Sequence, residues 1–485
     1  MRRTTANRGA QAALSAVTIA LVLAGCWGGS SDKAGGARTP KPTVLTMANG
    51  DGLTGELEPF AAAVRRLSGG TLRIEFKSAW REGTPGYETG VIGDVKAGKA
   101  DLAWAGSRAF DSVGVAAFDA LHAPLLIDSY ALERRALQSP LVREMLGGLK
   151  PLGVVGLGIL PGPLRKPLGV ARLVGPADYA GKTLAFQRSR VAEQTLRALG
   201  ARSAEIPFAG AIDAYDGVEQ EILSIAGGYD AHAKYLTTNV NLWPRPVVIF
   251  MNRKAFDKLN GRQRTALHDA ARVALPATLA IQQAEETEGA GNLCRRGVHF
   301  VTAGKADLAA LRRAVQPVYD QLQRDAQTKA AIEQIQAMRS QVASTPDAPA
   351  CSNTGSEQPG IGKATPIDGV YRVHTTPEDL RAAGVSSGEV NPENYGSSKM
   401  VLDRGRVTLQ QPAGDSAAGT YTVAGHTVTL TFTRGAGGHA RTRPGEVWHF
   451  RWSLYRDQLT FGPVPGKVSP PPMRAKPWRR IGNAP

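Results

Sequence analysis

Side chains at the ends of predicted strands in this 485-residue chain are candidates for the binding of a ligand. Ser107 and Arg108 follow a predicted strand at residues 101–105, and α/β sheets usually bind ligands at the carboxyl ends of their strands. Trp80 and Trp104 follow or end strands, where each could stack on a ligand or fill the core.

Patterns that mark common enzymes are missing from the sequence. The eight histidines show neither H-E-x-x-H nor a cysteine partner at metal spacing. There is no G-x-S-x-G elbow and no Walker loop, and the glycine-rich residues 153–158 lack a G-x-G-x-x-G followed by a helix. We therefore expect no enzymatic activity, no cofactor and no metal; a hydrolase is the least favoured alternative.

Strand and helix patterns alternate from Thr43 to about Val342, which predicts an α/β fold with mainly parallel sheets. Predicted strands lie at Thr43–Ala48 and at residues 72–76, 101–105 and 247–251. Predicted helices lie at residues 88–97, from Gly261 to about Gln283, and near 305–324 and 328–340. These elements must position any ligand site.

A different periodicity follows a linker. Residues 344–366 are rich in Pro, Ser, Thr, Gly and Ala, and residues 367–485 then show short strands of period two, clearest where Trp448, Phe450, Trp452 and Leu454 face one way. One helix interrupts the strands after the predicted N-cap Thr376. This predicts a small antiparallel β-barrel that resembles lipocalin-like modules by architecture alone.

The start of the chain is basic and then apolar. Three arginines precede residues 10–24, which carry no charge, and Leu23-Ala24-Gly25-Cys26 resembles the lipobox of bacterial lipoproteins. The resemblance implies a signal peptide over residues 1–25, a lipid on Cys26 and a membrane-anchored extracytoplasmic protein. Residues 26–41 would be a flexible stalk. The alternative is an ordinary secreted protein.

Charge and cysteine content add two expectations. The formal net charge is +16, but we expect no nucleic acid partner outside the cell; a coding bias or attraction to an anionic surface explains the arginines equally well. Cys294 and Cys351 are candidates for a disulfide, since an oxidising compartment would allow them to pair. The sequence leaves their pairing open.

Several short motifs, in order over about 300 residues, carry a family resemblance. They are Ser68-Gly69-Gly70, Gly98-Lys99-Ala100-Asp101, Pro124-Leu125-Leu126, Asp178-Tyr179-Ala180-Gly181-Lys182, Leu199-Gly200-Ala201 and Asp216-Gly217-Val218-Glu219-Gln220. The chain thereby resembles the periplasmic solute-binding proteins of tripartite ATP-independent periplasmic (TRAP) transporters, the family of the dicarboxylate binder. The resemblance implies two α/β lobes with a ligand cleft and a hinge-spanning helix.

The resemblance also implies site residues. The family's usual carboxylate-clamping arginine falls on Ala185, so the principal clamp is missing, whereas a second ligand arginine of the sialic-acid-binding branch falls on Arg165. Asn49 and Gln220 fall where family members contact ligand, with turn formation and loop packing as their alternatives. Glu88 aligns near an acidic family position, where it would contact ligand or cap its helix.

Other residues complete the candidate site. Arg188 and Arg190 could supply a displaced positive charge or lie solvated on the surface. Trp243 precedes a strand and joins the candidates, as does Ser107, while Arg245 is expected at the surface.

The predicted function is capture of a small organic anion for the membrane permease subunits of a TRAP transporter. Arginine suits this task because its planar donors pair bidentately with a carboxylate. The alternative is a degenerate binding fold that acts as a sensor or scaffold, with the β domain binding a partner or a hydrophobic molecule.

Overall fold

The structure is a computed structural model. It describes residues 41–48, 56–77, 80–81, 86–206, 212–226, 229–342, 349–351, 364–385, 390–392, 394–414, 416–424, 426–436, 442, 445–464 and 467–484. Cys26, the predicted stalk up to residue 40 and Asn49 lie outside the described residues. From Pro42 onward the chain forms one unit, in which two sheets are followed by a barrel.

Within the described residues, twelve strands precede the barrel. They are β1 (Thr43–Ala48), β2 (Leu72–Lys77), β3 (Leu102–Gly106), β4 (Val154–Leu160), β5 (Leu164–Gly169), β6 (Thr183–Phe186), β7 (Arg202–Glu205), β8 (Gly217–Gln220), β9 (Tyr235–Thr237), β10 (Trp243–Pro244), β11 (Val247–Asn252) and β12 (His299–Val301). The predicted strands at the start of the chain are thus present, with shifts of one residue at their ends.

Helices cover both sheets. They are α1 (Glu58–Leu67), α2 (Tyr87–Lys96), α3 (Tyr130–Leu137), α4 (Leu141–Gly147), α5 (Pro176–Tyr179), α6 (Arg190–Ala198), α7 (Ile222–Ala226), α8 (Arg253–Asp257), α9 (Gly261–Arg295), α10 (Lys305–Ala314), α11 (Gln316–Leu322) and α12 (Ala326–Arg339). Within the described ranges, none of the helices is both long and apolar enough to cross a membrane.

Each lobe is built on a mixed sheet. The first lobe has the strand order β2-β1-β3-β11-β4, in which β1, β2 and β3 are parallel while β11 runs antiparallel to both β3 and β4. The second has the order β12-β9-β5-β8-β6-β7, with β10 also paired to β5. One strand in each sheet, β11 or β5, runs against the others, so the expectation of mainly parallel sheets is confirmed. These two strands are reversed because the chain crosses between the lobes just before each of them and enters the other sheet in the opposite direction.

Two crossing segments meet at the hinge between the lobes. One joins β4 to β5 and the other joins β10 to β11. The Arg245 amide donates to the Pro163 carbonyl at 3.0 Å. A Cβ on Gly162 would lie 1.7 Å from the Arg245 carbonyl oxygen, so only glycine allows this approach.

The third link between the lobes is α9, which packs on α1 and β4 of the first lobe and on α7 of the second. It contains Pro276 and continues twelve residues beyond the end predicted at Gln283. Gly289 looks like a helix breaker in the sequence. In the structure it faces α7, where an added Cβ would lie 2.8 Å from Ile222 Cγ2. Tertiary packing therefore overrides the weak helix propensity of glycine.

The C-terminal strands close into a barrel, as predicted. They are β13 (Gly369–Thr375), β14 (Gly396–Asp403), β15 (Arg406–Gln410), β16 (Ser416–Ala424), β17 (Thr427–Ala436), β18 (Val447–Tyr455), β19 (Gln458–Pro463) and β20 (Trp478–Gly482). The sequence patterns predict neither the last strand nor the short helix α14 (Pro471–Arg474). Helix α13 (Pro377–Ala382) begins at the predicted cap Thr376, whose hydroxyl accepts from the Asp379 amide.

Apolar side chains fill the interior of the barrel. Trp448 and Phe450 are buried there, while Trp452 and Leu454 on the same face are half-buried. Phe432 packs edge-on against Trp448, with ring centroids 4.6 Å apart. The cluster contains only residues from 367 onward, so the barrel has a core of its own.

Two further contacts tie the barrel to the lobes. A disulfide joins Cys294 at the end of α9 to Cys351 in the segment before the barrel. On α9 itself, Glu288 lies 3.3 Å from His449 Nε2 and 3.7 Å from Lys467 Nζ, both residues of the barrel.

A fragment of residues 367–485 should fold alone into a soluble β protein that melts cooperatively, because its core is self-contained. The check is a thermal melt followed by circular dichroism. Trp478→Ala, which empties a fully buried position, should cost the fragment about 3–5 kcal/mol and serves as the control for a packed core. A fragment that is soluble but melts without cooperativity contradicts the prediction.

Candidate functional site

A cavity of about 80 Å³ lies where the chain crosses between the lobes. Its walls come from the start of α1, the two crossing segments, the chain after β8, and the middle of α9. The lining residues are Glu56, Pro163, Leu164, Glu221, Ile222, Leu223, Arg245, Gln282, Glu285 and Glu286. Because both lobes and the hinge helix contribute, a change in lobe angle changes the shape of this cavity.

Glu56 and Arg245 form one side of the cavity. Glu56 Oε1 lies 3.6 Å from Arg245 Nη2, and Glu56 Oε2 accepts from Gln282 Nε2 at 2.7 Å. Arg245 is only 5% exposed and stands over the Trp104 ring at 5.5 Å, so the expectation that it lies on the surface is wrong. Burial raises the pKa of Glu56 despite the nearby guanidinium.

Carboxylates of α9 also line the cavity. Glu286 pairs with Lys166 Nζ at 3.0 Å. Burial, followed by repulsion from Glu56 and Glu288, raises the pKa of Glu285 to about 8. A carboxyl group with this pKa is mostly protonated at neutral pH, and a nearby cation would favour its ionised form.

Arg165 is fully buried beside the cavity and does not line it. Its guanidinium is bound to the Glu219 carboxylate and donates to Glu221 Oε2 at 2.6 Å. It also donates to the Glu219 carbonyl at 2.9 Å. Trp243 lies opposite Arg165 in the β10–β5 pair and is buried in the core of the second lobe. Arg165 therefore orients Glu221 toward the cavity.

Gln220, predicted as a ligand contact, is buried and turned toward its own chain. Its side-chain oxygen accepts from the Glu221 amide at 3.1 Å. Ala185, where the sequence resemblance predicts the family's clamp position, is also fully buried in the second lobe. Neither residue lines the cavity.

A second group of predicted residues bridges the lobes outside the cavity. Arg108 donates to Glu88 Oε2 at 2.5 Å and to Gln187 Oε1, across the cleft, at 2.6 Å. Ser107 bonds to His122 at 2.6 Å. Burial, together with the charges of Arg108 and Arg165, lowers the pKa of His122 to about 3, so this histidine is neutral.

Arg188 and Arg190 are both engaged in ion pairs away from the cavity. Arg188 is half exposed and pairs with Glu205 at 2.7 Å. Arg190 pairs with Asp119 of the first lobe. Burial raises the pKa of Asp119 to about 7, although Arg190 opposes the rise.

The sequence patterns do not predict the glutamates that line the cavity. Glu285 and Glu286 fall beyond the predicted end of the long helix, and Glu221 follows the recognised motif directly. Extending the helix through Gly289 would have placed both α9 glutamates on a structured face. In the described part of the chain no group of three His, Cys, Asp or Glu side chains has the geometry to hold a metal ion.

Replacing Arg165 by methionine should lower the free energy of unfolding by about 3–5 kcal/mol, because Glu219 and Glu221 would be left buried without their cation. Chemical denaturation of both proteins measures this. Arg188→Met is the matched control, since its pair with Glu205 is exposed and should contribute about 1 kcal/mol or less. Equal losses of the free energy of unfolding in the two variants would show that Arg165 does not compensate the charges of Glu219 and Glu221.

Comparison with known proteins identifies the family to which this architecture is similar. The model for the bacterial extracellular solute-binding protein family 7 (DctP) matches residues 45–325. A solute-binding protein of Verminephrobacter eiseniae is 24% identical over 286 residues, which are 58% of this chain and 83% of that protein.

Solved structures share the fold. A TRAP periplasmic solute-binding protein of Ochrobactrum anthropi superposes with a TM-score of 0.56 at 20% identity, over 63% of this chain and 98% of its own. A TRAP periplasmic solute-binding protein of Xanthobacter autotrophicus, with bound β-D-galacturonate, superposes with a TM-score of 0.54 at 22% identity, over 60% of this chain and 99% of its own. The sugar acid binding protein of Advenella mimigardefordensis, in complex with galactonate, superposes with a TM-score of 0.55 at 19% identity, over 62% of this chain and 99% of its own. The chain belongs to the DctP family of extracytoplasmic solute-binding proteins, and it carries an additional C-terminal barrel.

Proposed function

We propose that this protein is the solute receptor of a TRAP transporter: it captures a small organic acid between its lobes and passes it to the membrane permease subunits. Family membership supports the transport role. The observation that carries the proposal is the cavity at the hinge, because its walls come from both lobes and from α9. A solute bound there contacts both lobes at once, so it favours one lobe angle over others.

Arg245 is the proposed partner of the solute carboxylate. The relatives described above hold galacturonate and galactonate, which are organic acids. In this chain the family's clamp position is Ala185, and Arg245 is the basic side chain among the residues that line the cavity. Arg165 acts indirectly in this proposal, by holding Glu221 in place.

The proposal includes a lipid anchor. Cys26 would carry the lipid after removal of residues 1–25, residues 26–41 would form the stalk of the two-lobed domain at residues 42–343, and residues 344–366 would link that domain to the barrel at 367–485. The lipobox-like Leu23-Ala24-Gly25-Cys26 supports this arrangement.

A sensor or scaffold is the second candidate function. One observation favours it: the barrel contacts α9 through Glu288, one helical turn from the cavity residue Glu285. The interior of the barrel is packed with its own aromatic side chains, which favours a protein partner over a hydrophobic ligand for this module.

Calorimetric titration of the full chain with organic acids and matched neutral sugars tests the receptor function. We expect carboxylates to bind and Arg245→Gln to weaken them by about tenfold or more, since a charged hydrogen bond is lost. Arg188→Gln should bind like the wild type. Arg245→Lys keeps the positive charge, so binding by this variant would show that the loss in Arg245→Gln is not caused by a folding defect. If no acid binds, the sensor or scaffold function replaces the receptor.

The anchor is tested by fractionation of the native host. The wild type should partition with membranes through the lipid on its N-terminal cysteine, and Cys26→Ser should be released or remain unprocessed. Mass spectrometry of the extracted protein reads the modification directly. A mature N-terminus at another residue contradicts the proposal.

A further inference from the structure

The charges around the hinge cavity are unevenly balanced. Four glutamates line it, and three of them have a basic partner. The pairs are Glu56 with Arg245, Glu221 with Arg165, and Glu286 with Lys166. Arg165 is moreover shared, because it also binds Glu219. Among the described residues that line the cavity, no further basic side chain balances the fourth glutamate.

Glu285 is the fourth glutamate. Among the described residues it makes no hydrogen bond and no ion pair, and its strongest electrostatic neighbours are other carboxylates. Its raised pKa reflects the same imbalance, since the cavity as it stands favours the neutral acid. One additional positive charge would balance this wall.

A hydrogen-bond donor is missing as well. Glu56 lines the cavity and is 6% exposed, and its buried Oε1 accepts no hydrogen bond, although Arg245 Nη2 is 3.6 Å away. A buried carboxylate oxygen without a donor is unfavourable. An ammonium group brings three donors and one positive charge, which is what Glu56 and Glu285 lack together.

We propose that the solute carries a protonated amine in addition to its carboxylate. The amine lies toward Glu285 and Glu56, and the carboxylate lies toward Arg245. This inference rests on the proposed receptor function and narrows its substrate class to amino acids and amino-sugar acids. A sugar acid or dicarboxylate without an amine would supply neither the positive charge that favours ionisation of Glu285 nor the hydrogen-bond donors that Glu56 lacks.

Matched acids that differ only in an amine test the inference. D-Glucosaminate is compared with D-gluconate, and 4-aminobutyrate with 4-hydroxybutyrate, by calorimetric titration of the full chain at pH 7. The amine member of a pair should bind about tenfold more tightly or better, the effect of one charged hydrogen bond. Glu285→Gln should reduce this preference to about threefold or less. Glu193→Gln, an exposed carboxylate on α6, should leave it unchanged.

The outcomes separate the two proposals. If the hydroxy acids bind as well as the amino acids or better, the inference fails while the receptor function stands. If neither kind of acid binds, both fail. A preference that survives intact in Glu285→Gln overturns the assignment of the amine to Glu285. Glu285→Ala provides a second variant, and a circular dichroism melt confirms that each one folds.

Discussion

The buried guanidinium of Arg165 is the interaction on which the site depends. Arginine keeps its charge in proteins, so a fully buried one requires carboxylates that stay ionised beside it. Burial alone would raise the pKa of Glu221, but Arg165 and then Arg245 hold that pKa below its ordinary value. Glu219 in turn accepts from the Gln187 amide at 3.0 Å, just after β6. One arginine thus connects β5, β8 and the end of β6, and it directs Glu221 to the cavity.

The sequence predicts the lobes and the barrel better than it predicts the site. Apolar and β-branched residues identify β1. Alternating apolar residues identify the face of β18 that carries Trp448, because burial on one face leaves a periodic trace. The single helix expected near residues 305–324 is instead α10 and α11, since Pro317 lies at the start of the second. The final strand β20 was missed because Trp478 is its one fully buried residue and gives no alternation.

These patterns do not predict which side chains pair with each other. Arg165 was identified by its spacing from a motif, but its pairing with Glu219 depends on the antiparallel register of β5 and β8, in which Lys166 lies opposite Gln220. A shift of one residue would turn the arginine to the other face of the sheet.

The hinge helix brings the additional barrel close to this charge balance. The family match ends at residue 325, and the barrel begins at Gly369, yet barrel residues reach back to α9. Glu288 raises the pKa of Glu285 by repulsion, and His449 and Lys467 are the barrel groups that face Glu288. Positive charge on those groups weakens the repulsion that Glu285 experiences. The barrel and the cavity therefore share one electrostatic environment along a single turn of α9, which is a physical link between the conserved fold and its addition.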